Sequence, residues 1–107
     1  MSQFIHIDEN NFEQEVLLSN EPVLLEFGAG WCTPCKRLEP LLIELGNTWG
    51  NRVRLAKVDV DKCVNLTMQF QVMSVPTVIL FKNGQPVETT TGLQTRQKLI
   101  EKFEPHL

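Results

Sequence analysis

Val23-Leu24-Leu25-Glu26-Phe27-Gly28-Ala29-Gly30-Trp31-Cys32-Thr33-Pro34-Cys35-Lys36 decides the fold of this chain. Val23 to Phe27 is apolar on both faces except at Glu26, the pattern of a central parallel strand covered on both sides. Gly28-Ala29-Gly30 closes that strand. From Thr33 to about Thr48 the apolar residues Leu38, Leu41, Leu42 and Leu45 recur at helical intervals, and Pro40 inside the run predicts a kink. The segment therefore reads as strand, glycine turn and helix, with Cys32 and Cys35 where the helix begins.

Working outward, Phe4-Ile5-His6-Ile7 is a β-prone run, and Asn10 with Glu13 has capping-box spacing for a first helix of about 10–19. Val53 to Val60 predicts a strand, and Asp61 predicts the cap of a short helix ending near Phe70. Val78 to Phe81, the dipeptide Asn83-Gly84 and Val87 to Thr91 form a hairpin pattern. Pro86 cannot donate to a ladder, which places the last strand at an edge. Leu93 to Glu104 predicts a closing helix with Leu99, Ile100 and Phe103 as its apolar contacts. The order β-α-β-α-β-α-β-β-α implies an α/β domain spanning residues 1–107, its mixed five-stranded sheet flanked by helices on both faces. Right-handed crossovers put the cysteines at the carboxyl end of a central strand, the edge where open sheets bind ligands.

Two thiols separated by two residues at a helix start have a chemical consequence. Unpaired backbone N–H groups and the helix dipole favour negative charge there. A free thiol near pKa 8.5 is about 3% ionised at pH 7, and the helix N-terminus raises that fraction. Cys32 is thus the expected nucleophile, and Cys35, one turn on and more buried, the residue that resolves its mixed disulfide. Pro34 suits the first turn, where a missing N–H costs nothing. A zinc knuckle would need two more ligands, and Cys63, His6 and His106 have no ligand spacing. A pair of inert thiols fits poorly with the strand-then-helix context. The two histidines read as solvated.

Phe27 to Lys36 resembles the active-site segment of thioredoxins. The resemblance continues through Pro40, Lys57 to Asp61, Val75-Pro76-Thr77, Phe81 to Gly84 and Gly92, so it covers essentially the whole chain. It implies a thioredoxin-like three-layer sandwich and a cis peptide before Pro76, packed against the cysteines. It further implies catalytic roles for Cys32, Cys35, Glu26, Lys57 and Pro76. Substrate contacts are expected at Trp31, Thr33, Pro34, Val75, Gly92 and Leu93, where the Val75 backbone can pair with an extended substrate. Trp31 as a core residue is the competing assignment. Glu26 is either buried, with a raised pKa that makes it a proton acceptor for Cys35, or solvated at a sheet edge. The family usually has the shorter Asp at this place, in reach of a lysine matching Lys57; it also has Gly in place of Thr33 and often Trp in place of Gly28. Cys63 has no counterpart and reads as an incidental thiol.

These features predict a general protein-disulfide reductase. A disulfide oxidase or isomerase is the alternative, although oxidising relatives often carry His where this chain has Pro34. A redox-regulated binding module that uses only the apolar rim is another. No nucleotide- or flavin-binding glycine motif is present, so no cofactor is expected. Disulfide-containing proteins and a thioredoxin reductase are the partners the resemblance implies, with a monomeric state. The composition narrows the field further. With 42% hydrophobic residues, 21% charged residues and a net charge of −3, the chain has ordinary globular values and no basic stripe for nucleic acid. No apolar run is long enough to span a bilayer, and the opening residues lack a leader pattern. Three cysteines do not make a secreted disulfide framework, so a reducing, cytoplasmic setting is expected.

Overall fold

In a computed structural model describing residues 3–107, one sheet gathers β1 (Ile5–Ile7), β2 (Val23–Gly28), β3 (Arg54–Asp59), β4 (Thr77–Lys82) and β5 (Gln85–Thr91). Met1 and Ser2, where the leader reading begins, lie outside the described residues. The strands are ordered β1-β3-β2-β4-β5. β1 and β2 run parallel to β3, whereas β2–β4 and β4–β5 are antiparallel. The helices are α1 (Thr33–Trp49), α2 (Val64–Gln69) and α3 (Arg96–Phe103). This is the mixed α/β sheet of the thioredoxin-like fold, with helices on both faces.

Period-two alternation divides the core. Val23, Leu25, Phe27, Ile79 and Phe81 pack with Phe12, Val16, Leu66 and the half-buried Phe70 on one face. Leu24, Leu55, Val78 and Leu80 pack on the other face with Leu38, Leu42 and Leu45 of α1 and Leu99 and Phe103 of α3. Each such side chain contributes roughly 1.5–3 kcal/mol by leaving water. By the same alternation Glu26 and Gly28 share a strand face with Leu24, toward α1. Their companions there are decided by the sheet register rather than by the glycine turn.

Several local expectations change. The first helix is a π-helical turn at Glu13–Leu17, and the Asn10–Glu13 capping box does not form. Instead the Asp8 backbone N–H donates to Asn11 Oδ1 at 2.8 Å while Asp8 Oδ1 accepts from the N–H groups of Asn10 and Asn11. Asp8 takes the Asn10 N–H that the capping box needs, and its position after a strand already turns the chain. Asp61 does not cap α2; Cys63 occupies the N-cap position, and its side chain makes no capping bond to the helix. β5 begins at Gln85 rather than Val87, and a register shift opposite Leu80 and Phe81 accommodates Pro86 on the exposed edge. α3 starts later than Leu93, because Gly92 has φ +82° and Thr95 is the cap that accepts from the Lys98 N–H at 3.1 Å. The hairpin signal holds, with both Asn83 and Gly84 at positive φ (53° and 77°).

Candidate active site

β2 delivers the chain to α1 through Ala29, Gly30 and Trp31, and the first residue of chemical interest becomes the helix cap. Cys32 is extended, with φ −89° and ψ 105°, and its Sγ accepts the backbone N–H of Cys35 at 3.1 Å. A sulfur thus takes the place that a Ser or Asp oxygen usually fills at a helix start. Pro34 lies in the first turn, where no donor is lost. Cys32 and Cys35 are disulfide-bonded, with Cα atoms 5.3 Å apart. Cys35 has no exposed surface and Cys32 retains 3%. Both residues are buried, and the one at the cap keeps the little surface that remains.

Behind the pair, Glu26 has no exposed surface, and neither carboxyl oxygen meets a hydrogen-bond donor among the described residues. Burial pushes its pKa up to about 8; repulsion from the neighbouring Glu39 carboxylate adds to the rise, and the Lys57 ammonium opposes it. Loss of water around the carboxyl is the largest of these effects. Lys57 is the register partner of Glu26 on β3. Its Nζ nevertheless pairs with Glu39 at 3.1 Å and lies 5.4 Å from the Phe4 ring centroid. Glu39 went unnoticed in the sequence, although it follows Cys35 by one i,i+4 step on α1.

The expected rim is built from several loops. Trp31 is 68% exposed, which removes it from the core, and its indole Nε1 donates to Asp61 Oδ2 at 2.8 Å. The residue expected to cap α2 instead anchors the aromatic beside the cysteines. Thr33 and Pro34 are exposed, Val75 is half-buried, Pro76 is buried, and Leu93 is exposed. The Val75–Pro76 peptide is cis, and the Pro76 carbonyl accepts the Gly92 N–H at 2.8 Å, tying two rim segments together. Met73, not singled out from the sequence, is 92% exposed just before Val75. A pocket of about 430 Å³ borders Gly28, Lys36, Glu39 and Lys57, with neither paired sulfur in its lining.

Of the remaining candidates, Cys63 and His6 line that same pocket, whereas His106 does not. Cys63 is a free thiol, 3% exposed, whose Sγ contacts the Ile7 carbonyl at 3.7 Å. Burial pushes it up from its ordinary pKa, and Glu9, Asp8 and Asp59 push the same way against Lys62. His6 is exposed; His106 is half-buried, with Nε2 at 3.7 Å from a Glu88 carboxylate oxygen. Among the described residues, no group of three or more His, Cys, Asp or Glu side chains is arranged to hold a metal.

Comparisons with known proteins converge. A family model described as Thioredoxin matches residues 3–104. A thioredoxin from Haemophilus influenzae is 39% identical over 107 residues, covering all of both chains. One from Mycobacterium tuberculosis is 41% identical over 102 residues, covering 95% of this chain and 88% of its own. A bifunctional thioredoxin reductase/thioredoxin from Mycobacterium leprae is 42% identical over 96 residues, 90% of this chain but only 21% of that protein.

Proposed function

The chain belongs to the thioredoxin family of thiol–disulfide oxidoreductases, and on that footing we propose the residues by which it reduces protein disulfides. Reduced Cys32 is the nucleophile. Its thiolate attacks one sulfur of a substrate disulfide, forms a mixed disulfide and expels the other substrate sulfur. Cys35 then attacks Cys32 Sγ, the bond from Cys32 to the substrate breaks, and the protein is left with the 32–35 disulfide. The substrate gains two electrons and the pair loses two.

The observation that carries this assignment is the 3.1 Å contact from the Cys35 N–H to Cys32 Sγ. It places the outer sulfur against the positive end of α1, where an anion is favoured. Glu26 acts as proton acceptor for Cys35, since a carboxyl with a pKa near 8 exchanges protons efficiently around neutral pH. Lys57 and Glu39 set the charge around it. Trp31, Thr33, Pro34, Val75, Gly92 and Leu93 form the substrate face, and the backbone at Val75 pairs with an extended substrate strand. Pro76 packs beneath that strand. The working protein is a monomer of the cytoplasm.

Electrons return through a separate thioredoxin reductase. The M. leprae relative, named for both activities, supports this choice of donor. The test is trapping: Cys35→Ser should accumulate a covalent adduct with insulin through Cys32, and Cys32→Ser should form none. An adduct through Cys35 in the Cys32→Ser protein would reverse the assignment.

A further inference from the structure

Gly28 has no backbone reason to be glycine. It ends β2 in register with Asp59 and lacks the positive φ of Gly50, Gly84 and Gly92. A side chain there would meet the redox centre directly. A β-carbon on residue 28 would lie 3.3 Å from Cys35 Sγ and 3.6 Å from both Cys35 Cβ and Glu26 Cδ. The sulfur contact is closer than ordinary van der Waals packing, so Cys35 Sγ would have to give way by a few tenths of an ångström, and the Glu26 carboxyl, already in ordinary contact, leaves it no room to do so. Both neighbours have no exposed surface and are held by the surrounding core.

The same geometry explains how a long acid fits. Residues 26 and 28 share one strand face, and strand side chains lean along the strand. The Glu26 chain reaches toward residue 28, and its last methylene occupies length that the shorter Asp would leave free. The Glu26 carboxyl carbon and Cys35 Sγ thus border one small volume, the one a β-carbon at 28 would fill.

We propose that Gly28 is a positioning residue for the resolving step, its bare α-carbon supplying the space in which the Glu26 carboxyl lies beside Cys35 Sγ. Glu26 and Gly28 act as one steric unit, an inference that rests on Glu26 being the proton acceptor. In that step the Cys35 S–H bond breaks and the proton passes to a Glu26 oxygen. The sulfur electron pair forms the bond to Cys32 Sγ, and the bond from Cys32 to substrate sulfur breaks with its pair leaving on the substrate. The charged groups that meet Glu26 are Glu39 of α1 and Lys57 of β3, while β4 presents the apolar Val78 in register.

The reduced protein can be mixed with 5,5′-dithiobis(2-nitrobenzoate), which releases one thionitrobenzoate on Cys32 attack and a second on resolution by Cys35. Gly28→Ala is expected to slow the second release about tenfold, part of what a general base contributes, and leave the first within about twofold. Shortening the acid should reopen the space, so Gly28→Ala with Glu26→Asp is expected to resolve within about threefold of Glu26→Asp alone. Equal slowing of both releases, no slowing, or no recovery in the double variant would overturn the proposal. If Gly28→Ala alone does not fold, the double variant must fold and resolve, and its failure is equally decisive. Glu26→Gln separates the two layers across pH 6 to 9. An unchanged second release there removes the proton-acceptor reading and Gly28 with it. A slowed second release in Glu26→Gln, with Gly28→Ala normal, removes only the role of Gly28.

Discussion

A carboxyl with no exposed surface and no hydrogen-bond donor among the described residues, as at Glu26, makes the stability of the oxidised protein depend on pH in the sense opposite to a salt-bridged acid. Its pKa is about 8 folded against 4.5 in the free side chain, so between those values the folded form binds more protons. Stability must then fall as pH rises, by up to about 1.4 kcal/mol per pH unit, and level off above pH 8. Urea unfolding from pH 5 to 9 should show this decline and Glu26→Gln should flatten it, leaving the variant more stable than the parent at pH 9. A parent whose stability rose across that window would contradict the buried-acid description. At Cys63 the same physics gives an inert group, because burial and three nearby acids disfavour its thiolate. Peroxide should therefore close the 32–35 pair without yielding a Cys63-linked dimer on a non-reducing gel.

At the level of elements, the redox loop depends on contacts that cross the fold. Trp31 is tethered to Asp61 at 2.8 Å, between the start of α1 and the approach to α2. Asp61→Ala should cost about 0.5–1.5 kcal/mol or less, given the exposed indole, and raise the KM for insulin more than it lowers kcat. An unchanged KM would mean that the tether does not shape the substrate face. The hairpin makes a sharper prediction. Gly84 has φ +77°, and a β-carbon there would lie 2.9 Å from the Leu17 carbonyl oxygen. Gly84→Ala should lower the unfolding free energy by more than about 1 kcal/mol in denaturant titration. These elements also mark how far the sequence could be read. Asn83-Gly84 and Pro86 declare their geometry because turn and edge chemistry is local. Asp61 misled, because a carboxylate before a helix is as suited to capping as to holding an indole thirty residues away. The Asn10–Glu13 spacing failed likewise, since Asp8 already accepts the Asn10 N–H that Glu13 would have taken.

For the molecule as a whole, the succession of strands and helices along the chain followed from the apolar patterns, and the cysteine pair from one short motif, whereas the lateral order of the strands emerges only in the sheet. Lys57 beside Glu26 was legible only through the family resemblance, and Glu39 was not legible at all, because the register across β3 and the helix position on α1 meet only in the assembled fold. Lys57 illustrates this: it sits opposite Glu26 in register yet pairs with Glu39. The family's reductase activity sets a thermodynamic expectation: equilibration with glutathione should place the 32–35 couple near or below about −220 to −320 mV, whereas about −120 mV would indicate an oxidase. Beneath that equilibrium lies a difference between sulfurs. The reduced protein, treated at pH 7 with trace iodoacetamide and mapped by peptide mass spectrometry, reports it directly. Cys32 should be alkylated at least about tenfold faster than Cys35 or Cys63, and faster than a free cysteine peptide. Equal labelling of Cys32 and Cys35, or a Cys32 no faster than the peptide, would contradict a thiolate held by the start of α1.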